Sequence, residues 1–164
     1  MPVSIRAVVI TISDRCARGE QEDISGKILR DLLQELDAEL VASEILPDEF
    51  DLVQEKLRAV ADRADVNLII TTGGTGFSPR DVTPEATRAV IEREAPGLAE
   101  AMRMQTLQNT PMAMISRGVC GIRANALIIN LPGSPDGVRE QFTVIKPVLA
   151  HAIALLTGKP HSEA

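Results

Sequence analysis

Tryptophan and tyrosine are absent from this 164-residue chain, and phenylalanine occurs only three times. Stacking along single-stranded nucleic acid needs aromatic platforms, so this composition argues against that class of function. The core has to be assembled from Ile, Val, Leu, Ala and Met. Excess positive charge is missing too: 23 Asp and Glu outweigh 17 Lys and Arg, for a net charge of −6. General binding to DNA or RNA backbones takes clustered cations, so no nucleic-acid partner is expected. A small anionic ligand stays compatible, because a few local donors suffice for it. The two cysteines, Cys16 and Cys120, form neither a C-x-x-C pair nor a disulfide ladder. That usage fits reduced thiols in the cytoplasm. The amino terminus lacks the basic and apolar regions of a signal peptide, and no apolar run approaches the roughly 20 residues of a membrane span. The expectation is a soluble, cytoplasmic chain with one domain over residues 1–158 and a flexible tail over 159–164.

What is present is an alternation of two patterns. Ile5–Ile12, Val66–Thr72 and Ala126–Leu131 are short, β-branched and almost wholly apolar. Such runs fit strands covered on both faces, as in a parallel sheet. A weaker strand is expected at Leu40–Leu46. Between them, 3–4 residue apolar spacing predicts helices over Ile24–Leu40, Leu52–Ala61, Thr83–Glu94 and Pro135–Leu156. Strands alternating with helices predict an α/β fold with a mostly parallel sheet. Ligands in such folds sit beyond the carboxyl ends of the strands.

Four strand ends carry chemistry-bearing loops. After the strand ending at Thr72 comes Gly73-Gly74-Thr75-Gly76, whose uncovered backbone suits a tight turn or an anion-binding concavity. Ser78–Glu85 comes next, with Thr83-Pro84 readable as a helix cap. Arg80 and Asp81 precede that cap, as a local ion pair or as a phosphate fork and a Mg²⁺ oxygen. The first strand ends in Ser13-Asp14-Arg15, and Ser25 is a candidate cap for the next helix. Asp48 and Glu49 lie just past the second strand and could serve a helix amino terminus. The fourth strong strand runs into Pro132-Gly133-Ser134-Pro135, a turn exposing backbone ahead of a helix. In a parallel sheet these loops converge on one rim. Several Asp, a few Arg and exposed N–H groups together suit a nucleotide with Mg²⁺.

The run Thr72–Thr87, reading TGGTGFSPRDVTPEAT, resembles the signature of the molybdopterin adenylyltransferase family, which includes MogA, MoaB and the G domains of gephyrin and plant Cnx. Ser13-Asp14-Arg15, Leu46-Pro47-Asp48-Glu49, Ser116-Arg117 and Asn130-Leu131-Pro132-Gly133 keep the family's order over nearly the whole chain. The resemblance implies a three-layer, Rossmann-like α/β sandwich, the molybdopterin-binding fold, that trimerises. It implies Mg-ATP-dependent adenylylation of molybdopterin with release of pyrophosphate, ahead of metal insertion by a possible partner protein. It implies Asp48 and Asp81 as the catalytic and Mg²⁺-holding carboxylates. Gly73, Gly74, Thr75, Gly76, Pro132, Gly133 and Ser134 match the nucleotide side. Ser13, Asp14, Arg15 and Arg80 match positions near the pterin or its phosphate.

Neither histidine falls near these motifs; His151 and His161 read as structural or solvated. Met102, Met104, Met112 and Met114 read as core or as a subunit interface, and Glu20–Asp23 as a solvated acidic loop. Two rivals stay open: a non-catalytic trimeric molybdopterin carrier or scaffold, and a different nucleotide-dependent enzyme on the same fold.

Overall fold

The computed structural model describes residues 3–158; the expected tail over 159–164 and His161 lie outside them. In chain order the first half holds β1 (Arg6–Ile12), α1 (Asp14–Ala17), α2 (Ile24–Gln34), β2 (Glu39–Leu46), α3 (Phe50–Ala61) and β3 (Leu68–Thr72). The second half holds α4 (Thr83–Arg88), β4 (Arg93–Glu94), α5 (Pro96–Leu107), a short 3₁₀ turn (Pro111–Ile115), β5 (Cys120–Arg123), β6 (Ala126–Leu131) and α6 (Pro135–Leu156).

The strands form one sheet in the order β2-β1-β3-β6-β5-β4. Pairing is parallel from β2 through β6 and antiparallel in β6-β5-β4. Alternate strand residues feed two separate cores, as the period of two requires. Val9, Ile70 and Ile129 pack beneath α2, α5 and α6, with Leu29, Met102 and Phe142 fully enclosed. Val8, Ile69 and Ile128 pack beneath α3 and α4, with Val53 and Leu57. The result is three layers, with β1, β3 and β6 buried on both faces. That burial explains their nearly unbroken apolar sequences. Edge strand β2 is half-exposed along its length. Among the described residues no helix is long and apolar enough to cross a membrane.

Two expected helices are shorter than their periodicity suggests. The run Ile24–Leu40 leaves helix at Gln34, where Asp37 takes a left-handed φ of 54° and the Ala38 amide returns to Leu33 O at 3.1 Å. Aspartate tolerates that conformation better than most residues. Leu40 therefore belongs to β2, opposite Ala7. The run Thr83–Glu94 ends its helix at Arg88, because the sheet captures the residues beyond it. The Glu92 amide donates to Ile122 O at 2.8 Å and Arg93–Glu94 pair with β5. The methionines divide: Met102 is core, whereas Met104, Met112 and Met114 are exposed in the single chain.

Candidate active site

The carboxyl ends of β1, β2, β3 and β6 meet around a cleft of about 260 Å³. Ser13, Asp48, Gly73, Gly74, Asp81 and Gly133 line it, so residues from all four expected loops come together. Backbone sterics explain the glycine pair. Gly73 and Gly74 have φ of 99° and 68°, a region that L side chains avoid. A Cβ on Gly73 would strike the Ile12 carbonyl, and one on Gly74 would strike Thr83 Oγ1 and sit 3.0 Å from Asp48 Oδ1. Gly73 N–H is spent on Leu131 O. The amides of Gly74 and Thr75 take no part in the hydrogen bonds of the described residues, which leaves them as donors.

Hydroxyl groups tie the loops to one another. Thr72 Oγ1 donates to Pro132 O at 2.7 Å, and Ser25 Oγ donates to Gly133 O at 2.7 Å. Thr83 Oγ1 donates to Gly73 O at 2.9 Å. These bonds correct two expectations. Ser25 does not cap α2: Asp23 does, accepting from the Gly26 amide at 2.9 Å while also accepting from Thr11 Oγ1 at 2.7 Å. Thr83 does not cap α4: Val82 occupies that position without a side-chain bond. Each hydroxyl finds a carbonyl across the site instead. Asp23 likewise leaves the solvated acidic loop expected for Glu20–Asp23 and lines the cleft, together with Glu22 and Thr11.

The acidic centre is built on Asp14 and Asp48. Asp14 N–H donates to Asp48 Oδ2, and Asp48 N–H donates to Asp14 Oδ1, both at 2.9 Å. Arg80 closes the outer side with a two-pronged contact to Asp14, Nε and Nη2 each at 3.0 Å from an oxygen. Hydrogen bonding to Arg80, then to the Asp48 amide, holds the Asp14 carboxyl below its usual range. Asp48 moves the other way. Desolvation raises it above the usual range, and the negative charges of Asp14 and Asp81 add to that. Asp48 Oδ1 is buried without a hydrogen-bond partner. Asp81 Oδ2 accepts from the Ser78 amide at 3.0 Å.

The remaining expected residues sit around this centre. Arg15 is exposed and Arg80 is committed to Asp14. Thr75 is buried. Ser134 caps α6, accepting from the Gly137 amide at 3.1 Å. Pro132 and Ser134 face a neighbouring pocket of about 360 Å³ with Ser116 and Gln141, on the far side of the turn from Gly133. Glu49 precedes α3 without a side-chain capping bond. No aromatic residue lines the central cleft among the described residues. Cys16 reaches its wall; Cys120 is buried, and its thiol is pushed up to about 12 by desolvation, an inert state.

A cation at this centre would find hard carboxylate oxygens, one of them the unpartnered Asp48 Oδ1. Among the described residues no group of three or more His, Cys, Asp or Glu is arranged to hold a metal by itself. Carboxylate oxygens of this kind suit a hard cation such as Mg²⁺, which takes one or two carboxylates and completes its shell with substrate phosphates and water.

The family profile described as "Probable molybdopterin binding domain" matches residues 8–151. The chain belongs to that molybdopterin-binding family. It is 47% identical over 167 residues to the molybdenum cofactor synthesis protein cinnamon of Drosophila melanogaster, covering 98% of this chain and 28% of that one. It is 41% identical over 157 residues to a molybdopterin adenylyltransferase of Helicobacter pylori, covering 94% and 89%. The structure superposes on the molybdopterin biosynthesis enzyme MoaB of Thermus thermophilus with a TM-score of 0.90 and 49% identity, covering 96% of this chain and 99% of that one. The family fold and the mostly parallel six-stranded sheet thus coincide in sequence and structure.

Proposed function

We propose that this chain is a nucleotidyltransferase of molybdenum cofactor biosynthesis, adenylylating molybdopterin with ATP and releasing pyrophosphate. The observation that carries the reading is the carboxylate pair Asp48 and Asp81 beside a strand-end loop with free amides. The relatives named molybdopterin adenylyltransferase support it, and one of them is spanned over 89% of its length.

The reaction is governed by charge. A terminal phosphate oxygen of molybdopterin attacks the α-phosphorus of ATP. A new P–O bond forms as the bond to the β-phosphate bridge breaks, and pyrophosphate leaves with that electron pair. The nucleophile is already anionic, so no strong general base is required. The difficulty is bringing two polyanions together in a cleft of carboxylates. Mg²⁺, when bound at Asp48 and Asp81, would neutralise phosphate charge. The Gly74 and Thr75 amides are suited to phosphate oxygens. Gly133 would lie on the nucleotide side, and Ser13 on the pterin side. With no aromatic wall in the cleft, ring recognition falls to aliphatic and backbone groups.

The same reading makes residues 1–158 one working domain of a homotrimer in the cytoplasm, where free Cys16 and Cys120 stay reduced. Exposed Met104, Met112 and Met114 offer adaptable surface for subunit or insertion-protein contact. The test is pyrophosphate release from Mg-ATP with and without molybdopterin. Molybdopterin-dependent release is the expected result. Tight pterin binding with no pyrophosphate at any ATP concentration would instead identify a carrier or scaffold.

A further inference from the structure

Arg117 precedes β5, outside the cleft, yet its side chain reaches into the loop that carries Asp81. Its Nε donates to Gly76 O at 2.8 Å and its Nη2 donates to Asp81 O at 3.0 Å. Its Nη1 pairs with the Glu85 carboxylate in the first turn of α4. Its own amide donates to Thr75 O at 2.8 Å. One residue therefore grips the glycine loop at Thr75 and Gly76, the backbone of Asp81, and the helix beyond it.

These contacts have a geometric logic. The segment from Gly76 to Asp81 has few other anchors: the Asp81 amide donates to Ser78 O at 2.9 Å, Ser78 N–H donates to Asp81 Oδ2, and the Arg80 side chain reaches out to Asp14. The two Ser78–Asp81 bonds lie inside the segment and shape the turn without fixing it, and the Arg80–Asp14 pair is an exposed side-chain contact that leaves the segment's backbone carbonyls unheld. The Arg117 guanidinium joins the segment's two ends, because a planar fork can serve two carbonyls at once. Lysine offers its donors from a single point rather than from a planar fork. Glu85 holds the fork at its third corner.

We propose that Arg117 is a positioning residue that sets where the Asp81 carboxylate stands relative to Asp48 and the free amides of the glycine loop. This inference rests on the adenylyltransferase reading for its kinetic consequence, but not for its structural one. Misplacement of a reacting group by about 1 Å can cost on the order of 10²-fold in rate.

The test compares Arg117→Ala and Arg117→Lys with the parent by steady-state pyrophosphate release, thermal denaturation and amide hydrogen exchange at Phe77–Asp81. The expected result is a kcat about 10²-fold lower for Arg117→Ala, with KM for ATP within threefold. Arg117→Lys should be intermediate, both variants should stay folded at assay temperature, and exchange at Phe77–Asp81 should be faster. A kcat within twofold of the parent in both variants would overturn the proposal. So would a KM rise with kcat unchanged, which would make Arg117 a ligand-binding group. If Arg117→Ala fails to fold, the Arg117→Lys kcat and exchange decide. A parent that releases no pyrophosphate defeats the functional reading alone; unchanged loop exchange in the variants would then still defeat this one.

Discussion

Asp14 and Asp48 hold each other by exchange: each carboxylate accepts the other's backbone N–H at 2.9 Å. Two acidic residues thus lock the ends of β1 and β2 together without their charges meeting head-on. Only Asp14 has a cationic partner, Arg80. Asp48 keeps one oxygen buried and unpartnered, so the pair stores its unsatisfied charge at the side facing Gly74.

That stored charge gives a stability prediction with a definite sign. Folding raises the Asp48 pKa above 3.8 through desolvation first, so the native state binds its proton more tightly than the unfolded chain. Stability contributed by this group is present at low pH and is lost as pH rises through the folded value. Asp48→Asn is therefore expected to melt at a higher temperature than the parent at pH 7. The advantage should shrink as pH falls toward the ordinary aspartate range of about 4. Thermal denaturation across pH 3–7 measures it, and a lower melting temperature for Asp48→Asn at neutral pH would contradict the assignment.

Asp14 runs the opposite way. Its carboxyl is depressed, chiefly by Arg80, so its contribution is present above the usual value and lost on acidification. Replacing Arg80 with Ala should let the Asp14 titration move upward toward 3.8, as monitored by carboxyl-carbon NMR. An unmoved Asp14 titration in Arg80→Ala would show the ion pair to be a passive surface contact.

The glycine pair predicts a contrast between positions. Gly19 and Gly73 both have positive φ, but a Cβ on Gly19 meets open space whereas one on Gly73 meets the Ile12 carbonyl. Gly19→Ala should lose only the conformational penalty, about 1–2 kcal/mol. Gly73→Ala adds a clash with main chain that cannot rotate away and should lose more than that. Denaturant titration of the two variants checks the order; equal losses would refute it.

Asp81 supplies the activity prediction. Asp81→Asn should keep the fold and lower pyrophosphate release by about 10²-fold or more, the scale for losing one electrostatic stabiliser. A purified, folded Asp81→Asn protein with near-normal turnover would remove Asp81 from the catalytic role.

The strands were legible because β1, β3 and β6 are buried on both faces, and that burial writes itself as continuous Ile, Val and Leu. The β4-β5 ribbon left no such mark. Arg93 and Glu94 are exposed and paired through the backbone alone, so the helical spacing upstream ran on unopposed. At the site, the loops that meet at the cleft were readable from glycine and aspartate at strand ends, while Asp48 and Asp81 were singled out by the family resemblance. The roles of Thr83, Ser25 and Asp23 were not, since a hydroxyl ahead of a helix signals a cap until the partner carbonyl, from another loop, is known. Ser116-Arg117 stood out as a motif, but what Arg117 holds was hidden for the same reason. Its partners at Gly76 and Asp81 are main-chain oxygens, which carry no residue-type signature.

The hydroxyl ties from Thr72, Ser25 and Thr83 to Pro132, Gly133 and Gly73 are bonds between neutral groups. They carry no titrating group and are little affected by ionic strength, in contrast to the Asp14–Arg80 pair, which salt screens and which is lost once Asp14 is protonated in acid. The contour of the cleft is thereby insulated from the solution, while its field is not. Salt should retune the charge at the mouth of the cleft while these hydroxyl ties between its loops persist.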